Sequence, residues 1–526
     1  MADLQTAAAI RKFCWLIALC LFSAMLTGCG SPDTSRFPLV VIGEPDDPFE
    51  SGVRLPLAAQ LTRASTTGGL VSFDEQGRVV PALADRWIVT DDGRSYIFRL
   101  RDGEWLDGEP LTAKSAKKGL DAAIRAVRNT PLGLDLAGVD EIRVMAGRVI
   151  EVRLLRPMPY FLQLLAQPEL GLLHEKRGDG PMVLEREGDT ALFTPIEPGR
   201  LGLPEIPEWE ERVRQVAMMA LPAEQAVQRF NEGQADLVLG GRIQDFPLTN
   251  SVGILRGTIQ LDPVMGLFGL QIANDEGFLA DPQNREALAM AIDRPSLIEP
   301  FGVNGWTPST RLLPTDLDGE LENDPERWAD LSLAERRAAA AQRVRNWANA
   351  DLDPDADDEG KARSSRDGSS VNGGATPQQS KAPELSIWLP SGPGSDILFN
   401  RLSGDFRTIG VASQRVEDPK DADLRLVDEV ARYPRAHWFL NRLSCVARQG
   451  LCEPEVDALV AEAIKLEDSA ERTLRLNEAE ARLTQANVFI PLGSPIRWSL
   501  VRGSVQGFSP NPWAWHPLMP LAWLHR

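Results

Sequence analysis

Histidine is scarce in this chain of 526 residues: there are four, at positions 174, 437, 516 and 525. None stands at a zinc-ligand spacing from the cysteines, and the pair His174-Glu175 does not continue into the H-E-x-x-H pattern of metalloproteases. The G-x-S-x-G nucleophile elbow and the G-x-x-x-x-G-K-[ST] phosphate loop are also missing. We therefore expect no metal, no cofactor and no catalytic residues.

Basic charge is also in short supply, with 56 lysines and arginines against 75 aspartates and glutamates and a formal net charge of −19. Nucleic-acid binding requires basic side chains that neutralise phosphates, and docking on anionic lipids requires a basic face. The composition therefore argues against both kinds of partner. A large net charge favours solubility.

The longest N-terminal apolar run, Phe13–Met25, is too short for a transmembrane helix, which needs about 20 apolar residues. Arg11 and Lys12 precede it, as in an export signal. The run ends in Leu26-Thr27-Gly28-Cys29, which resembles a bacterial lipobox. We predict a signal peptide over residues 1–28, lipidation of Cys29, a polar tether over 29–35 and a membrane-anchored protein in the periplasmic space. An ordinary signal with a chance cysteine is the alternative.

Cysteines are few as well, with five in the sequence. Cys14 and Cys20 lie in the signal and Cys29 is the lipidation candidate, so Cys445 and Cys452 are left for the folded protein. In an oxidising compartment two nearby cysteines favour a local disulfide. A pair of free thiols is the alternative.

The length exceeds what one hydrophobic core usually supports, so two or more domains are expected. Strand-like and helix-like patterns alternate, which predicts an α/β fold. The predicted strands are Leu39–Gly43, Tyr96–Leu100, Val149–Leu154 and Leu385–Leu389; the predicted helices are Ala113–Ala126, Glu224–Glu232, Asn284–Ile292, Ser332–Ala350 and the long region Glu453–Ala486.

Two segments interrupt this alternation. Residues 351–382 are rich in Asp, Ser and Gly and nearly free of large apolar side chains, which predicts a disordered insertion. Residues 392–396 predict a strand-to-helix turn that is capped by Ser395 or Asp396. A loop that binds an anion at the start of the helix is the alternative, for which the sequence signal is weak.

Six stretches stand out in sequence order. Three lie near the N-terminus: Val79–Trp87, Asp91–Gly103 and Trp105–Ala113. Three follow later: Phe230–Leu237, Asn284–Arg294 and Ile490–Leu492. The first three closely resemble, in register, the N-terminal signature of family 5 extracellular solute-binding proteins, the relatives of oligopeptide, dipeptide and nickel receptors, and the later three resemble segments of that family in the same order. The resemblance therefore covers nearly the whole mature chain.

The resemblance implies a two-lobed periplasmic binding protein fold of the large, peptide-binding type, in which a hinge closes the lobes on a ligand. Lobe I would comprise residues 36–265 and 495–526, and lobe II residues 266–494. The crossings would be Leu267–Asn274 and Ile490–Trp498. The implied function is that of a monomeric, non-catalytic lipoprotein that captures a peptide or other polar solute and delivers it to the permease of an ABC importer.

Ligand contacts are expected at strand ends and in the segment Asp428–Phe439, where peptide-binding members carry an acid for the ligand's amino group. This chain has Arg435 where that acid is expected, and a basic group could instead pair with a carboxylate or phosphate. The candidate contacts are Glu44, Trp388, Asp428, Glu429, Arg435, Trp438 and Arg442. Among the 13 tryptophans, further possibilities are Trp306, Trp498, Trp513 and Trp515.

Two other functions are compatible with such a fold. An adaptor that senses a ligand or acts as a chaperone, without transport, would use the same closure. A periplasmic hydrolase is less favoured, because the sequence shows no catalytic set.

Overall fold

The computed structural model describes residues 35–253, 257–314, 317, 326–350, 382–447 and 450–524. The predicted signal peptide, Cys29 and the tether up to residue 34 lie outside the described residues, as does the predicted insertion over 351–381. No helix within these described ranges combines the length and the apolar character that a membrane crossing requires.

The described residues form strands and helices that alternate along the chain, with short 3₁₀ turns between them. The strands are β1 (Arg36–Ile42), β2 (Val71–Phe73), β3 (Val79–Pro81), β4 (Ala84–Val89), β5 (Ser95–Leu100), β6 (Val139–Ala146), β7 (Val149–Leu154), β8 (Leu173–His174), β9 (Arg177–Gly178), β10 (Met182–Glu187), β11 (Thr190–Pro195), β12 (Gln215–Leu221), β13 (Leu237–Gly241), β14 (Ile259–Leu261), β15 (Gly266–Ile272), β16 (Glu384–Trp388), β17 (Ala412–Val416), β18 (Leu424–Val430), β19 (Phe489–Gly493) and β20 (Trp498–Val501). The helices are α1 (Leu57–Thr66), α2 (Ala113–Ala126), α3 (Pro131–Asp135), α4 (Phe161–Leu165), α5 (Trp209–Arg212), α6 (Ala223–Asn231), α7 (Pro282–Ala291), α8 (Arg294–Ile298), α9 (Leu333–Ala350), α10 (Pro393–Thr408), α11 (Ala436–Arg442), α12 (Pro454–Lys465), α13 (Ser469–Ala486) and α14 (Leu518–Ala522).

A seven-stranded sheet in the order β10-β11-β12-β1-β13-β20-β14 forms the centre of the first lobe. Strand β1 pairs in parallel with both β12 and β13. Its residues Phe37 and Leu39 belong to one buried cluster and Val40 to another, so both faces of the sheet are covered. This explains the unbroken apolar sequence of β1, which is typical of central parallel strands. The carboxyl ends of β1, β12 and β13 consequently lie at one edge of the sheet.

A five-stranded sheet in the order β17-β16-β18-β15-β19 forms the centre of the second lobe. Strand β15 is antiparallel to both β18 and β19. The chain leaves the first sheet after Leu261 and returns to it at Trp498, where β20 begins. A smaller sheet, β4-β5-β7-β6, and two hairpins, β2-β3 and β8-β9, complete the pairing among the described residues. The predicted α/β fold with two lobes is therefore confirmed.

Most predicted elements are confirmed, and one helix agrees at both ends. Helix α2 spans the predicted Ala113–Ala126, because Thr112 and Ser115 cap its start reciprocally through side chain and backbone. The predicted helical region Glu453–Ala486 is divided into α12 and α13. Asp468 causes the division at the start of α13, where its carboxylate accepts hydrogen bonds from the backbone of residues 470 and 471.

The predicted cap of the turn over residues 392–396 is wrong. Helix α10 is preceded by Gly392, which has a φ of 145° and whose Cβ, if it had one, would lie 2.5 Å from the carbonyl oxygen of Gln244. Ser395 lies inside the helix and is fully buried, and Asp396 pairs with Arg415 on β17. Close approach of the backbone, and not a side-chain cap, therefore sets this turn.

Candidate functional site

A cavity of about 870 Å³ lies between the two main sheets. Its wall on the first lobe includes Gly43, which follows β1, and residues 240–242 at the end of β13. Its wall on the second lobe includes residues 428–432, where β18 ends. The cavity thus lies at the carboxyl ends of parallel strands, where open α/β sheets commonly bind their ligands.

Three tryptophans contribute to the apolar part of this wall. Trp498, Trp513 and Trp515 all line the cavity. A Cβ on Gly241 would lie only 2.1 Å from the ring of Trp498, so glycine is needed for the ring to pack against β13. The indole Nε1 of Trp498 also donates a hydrogen bond to the carbonyl of Arg242 at 2.8 Å. The ring is therefore held in place as a rigid apolar surface of the kind that ligand pockets use.

A buried ion pair joins the two lobes at the cavity. Arg497 precedes β20, and its guanidinium lies 2.7 Å from a carboxylate oxygen of Asp428 on β18 and 2.9 Å from the carbonyl oxygen of the same residue. Both side chains are less than one tenth exposed. The second carboxylate oxygen of Asp428 is buried without a hydrogen-bond partner among the described residues.

A second ion pair spans the same boundary further along the wall. Arg432 donates two hydrogen bonds to Glu169, at 2.8 and 2.7 Å, and a third to Gln167 at 2.9 Å. Burial opposes the ionisation of Glu169, but the charge and hydrogen bonds of Arg432 outweigh it and hold the pKa of this carboxyl below its ordinary value. Both groups are therefore charged at neutral pH.

Two further polar pairs contribute to the lining. Arg442 lies 3.3 Å from a carboxylate oxygen of Glu429, with its guanidinium carbon 5.2 Å from the ring centre of Trp438. His516 lies 3.3 Å from Asp262. A concave site with rigid aromatic walls and fixed charges can hold a polar solute and orient it.

The structure brings together three of the seven predicted ligand contacts, Asp428, Glu429 and Arg442, in the wall of the cavity. The other four are not among the described residues that line it. Trp388 donates from Nε1 to the carbonyl of Glu417, and Arg435 donates to the carbonyl of Pro434. Trp438 is fully buried against Phe439, and the exposed Glu44 follows the lining residue Gly43. Contact of any of the seven with a ligand stays a prediction.

Sequence reasoning missed several charged residues of the wall: Glu169, Arg242, Arg432 and Arg497. The signal for Arg242 was present, because Gly240-Gly241-Arg242 directly follows an apolar strand, and a polar side chain at such an end faces the cleft. Glu169 lies in a short turn and had no comparable pattern.

A disulfide joins Cys445 and Cys452, whose Cα atoms are 5.2 Å apart, as favoured from the sequence. It closes a short loop after α11, and the backbone amide of Cys445 donates to Asp457 on α12 at 3.0 Å. Within the part of the chain that the structure describes, no group of three or more His, Cys, Asp or Glu side chains is arranged to hold a metal ion.

Two α/β lobes around a cavity with aromatic and charged walls are the architecture of solute-binding proteins. Residues 78–193 match the model of the bacterial extracellular solute-binding proteins, family 5 Middle. Together with the relatives and structures below, this match confirms the resemblance to the family 5 solute-binding proteins of ABC transporters that was seen in the sequence.

Curated relatives share the chain's sequence at moderate identity. The periplasmic oligopeptide-binding protein OppA of Escherichia coli strain K12 is 23% identical over 84% of each chain. The probable deoxycholate-binding periplasmic protein YgiS of the same strain is 28% identical over 48% of this chain. The matched region spans 52% of YgiS, about half its length.

Solved structures show the same fold. The complex of Haemophilus influenzae OppA with the peptide RPPGFSPFR gives a TM-score of 0.73 at 17% identity and covers 94% of this chain and 99% of that one. The murein tripeptide binding protein MppA of Escherichia coli gives 0.72 at 18% identity, covering 94% and 99%. The unliganded open form of MppA gives only 0.57 at 18% identity, covering 94% and 98%.

Proposed function

We propose that this chain captures a peptide or other polar solute between its lobes and delivers it to the membrane permease of an ABC importer. The observation that carries the proposal is the cavity of about 870 Å³ between the sheets, whose size suits a small ligand or short peptide. Its walls come from both lobes, so a bound solute would contact both at once and stabilise the closed arrangement.

The division into lobes is part of this proposal. Lobe I comprises residues 36–265 and 495–526 and lobe II residues 266–494. The division is supported by the two places where the chain changes sheet, between β14 and β15 and between β19 and β20. Each crossing is short, as a hinge requires.

The cellular setting is also proposed. Because its relatives include periplasmic proteins, we place this chain in the periplasmic space. Lipidation of Cys29 would hold it at a membrane as a monomer, close to the permease. Labelling with a radioactive or alkyne fatty acid tests the anchor, since a Cys29→Ser variant would lose the label.

A thermal unfolding screen tests the binding function. The panel contains peptides of two to five residues, amino acids, sugars, metal chelates and anionic metabolites. A ligand at about 100 times its dissociation constant adds roughly 2.7 kcal/mol to the free energy of unfolding and raises the midpoint. If no class of compound shifts the midpoint, solute capture is wrong.

A pair of variants then locates the site. Glu429→Gln, in the cavity wall, is expected to weaken the binding of the solute found in the screen. Glu417→Gln, which is not among the described lining residues, is the matched control and should bind like the unaltered protein. Equal affinity of all three proteins would place the site elsewhere.

A further inference from the structure

Arg242 differs from most of the arginines that line the cavity. Arg432, Arg442 and Arg497 are each paired with a carboxylate, as described above. Arg54, the remaining arginine of the lining, is exposed and, like Arg242, makes no ion pair among the described residues. Arg242 lines the same cavity with an exposed side chain. Within the described residues its guanidinium makes no hydrogen bond and no ion pair within 4 Å. It therefore presents a positive charge without a contact partner to the space between the lobes.

The surroundings distinguish this side chain from an ordinary solvated surface arginine. Burial lowers the pKa of Arg242, and the nearby positive charge of Arg497 lowers it further, against the opposing effect of Asp428, Glu429 and Asp245. The guanidinium is thus surrounded by protein although its surface is open to the cavity. A side chain inside a cleft has this combination, because protein atoms surround it while its surface faces the cavity.

Three carboxylates act on the charge of Arg242, and none of them is in contact with its guanidinium. Asp245, three residues further on, makes no ion pair with Arg242 within 4 Å among the described residues. Asp428 is bound by Arg497, and Glu429 is paired with Arg442. A partly desolvated cation without a contact partner is costly unless a partner is supplied. The missing partner would therefore have to come with the ligand.

We propose that Arg242 binds an anionic group of the solute, a carboxylate or a phosphate, and that the solutes of this cavity are consequently anionic. The inference rests on the proposed function and names the ligand class for it. The guanidinium offers a planar pair of N–H donors, which can bind two oxygens of a carboxylate or two oxygens of a phosphate. The site would therefore recognise the pair of anionic oxygens that carboxylates and phosphates share. Trp498, whose ring is fixed beside the carbonyl of the same residue, supplies the apolar surface next to this charge.

Calorimetric titration of the full chain tests the inference with defined probes. These are tri-glutamate, tri-alanine, tri-alanine amide, tri-lysine, and inorganic phosphate as the second source of an anion. The variants are Arg242→Gln and Arg242→Lys, with Arg86→Gln as the control. Arg86 is an exposed arginine on β4 that is not among the described lining residues.

Tri-glutamate should bind the unaltered protein at least tenfold more tightly than tri-alanine amide does. Arg242→Gln should reduce the affinity for tri-glutamate by about 10 to 100-fold, which is the range expected for the loss of a hydrogen bond to a charged group. Arg242→Lys should lose less, and Arg86→Gln should lose nothing. Tighter binding of phosphate than of any peptide would support an anionic ligand and identify phosphate as its source.

Preference for tri-lysine, or unchanged affinity in Arg242→Gln, would overturn the inference while leaving solute capture intact. Failure of every probe to bind the unaltered protein, together with a thermal screen without hits, would overturn both.

Discussion

Asp245, three residues beyond Arg242, carries a buried carboxyl group that links stability to pH. It is 7% exposed, and burial raises its pKa to about 6 although the charge of Arg242 opposes the rise. The folded protein therefore keeps a proton that the unfolded chain, with an ordinary pKa near 3.8, has already released. Stability consequently falls as the pH rises from about 4 to about 6.

Asp245→Asn should remove this pH dependence. The expected gain in the free energy of unfolding is on the order of 2–3 kcal/mol at pH 7 and close to zero at pH 4, because the asparagine is never charged. Urea unfolding at both pH values measures it. Asp396→Asn, at an exposed carboxyl, is the control, and parallel pH profiles for Asp245→Asn and the unaltered protein would contradict the prediction.

Residue positions in the cavity wall were only partly predictable from the sequence. Asp428 and Glu429, which line the cavity, were predicted because they begin the segment Asp428–Phe439 that the resemblance to the family singles out. Trp438 was expected at the ligand, but α11 begins at Ala436 and buries this ring completely. The start of that helix fixes which side chains face the core, and no capping residue marks it in the sequence, since Arg435 makes no side-chain cap.

Among the elements, helix α13 depends on a single capping residue. Asp468 accepts hydrogen bonds from two backbone amides, both at 2.9 Å, that would otherwise lack partners. Asp468→Ala should lower the free energy of unfolding by about 1 kcal/mol, whereas Asp468→Ser should keep most of the stability. Chemical unfolding of the two variants measures the difference, and equal loss in both would show that the cap is not the cause.

The same helix shows why element boundaries varied in predictability. Helix α2 agreed with its predicted ends because a capping box marks its first turn. The break before α13 carries no glycine or proline, and the helical apolar spacing continues across it. A lone aspartate can either cap a helix or occupy an exposed position within one. The spacing of apolar residues alone therefore could not show that Glu453–Ala486 forms two helices.

At the scale of the whole molecule, polar contacts hold α11, which the proposed division assigns to the second lobe, against α3 of the first. Asp135, at the end of α3, accepts hydrogen bonds from the hydroxyl of Tyr433 at 2.8 Å and from the amide of Asn441 at 2.7 Å. The ring of Tyr433 also stacks on Tyr160 with centres 4.3 Å apart. These contacts join residues far apart in sequence, so no local pattern predicts them.

Asp135→Ala should shift the ligand-free protein towards an open arrangement. Two buried donors would lose their acceptor in the closed form, at about 1–3 kcal/mol each, whereas opening the lobes lets water satisfy them. The radius of gyration measured by small-angle X-ray scattering should therefore increase. Asp135→Asn is the matched control, because its side chain keeps an acceptor oxygen. If the radius is the same in all three proteins, Asp135 does not hold the lobes together. Because neither Asp135 nor its two partners is among the described residues that line the cavity, a change in solute affinity would then report on closure and not on direct contact.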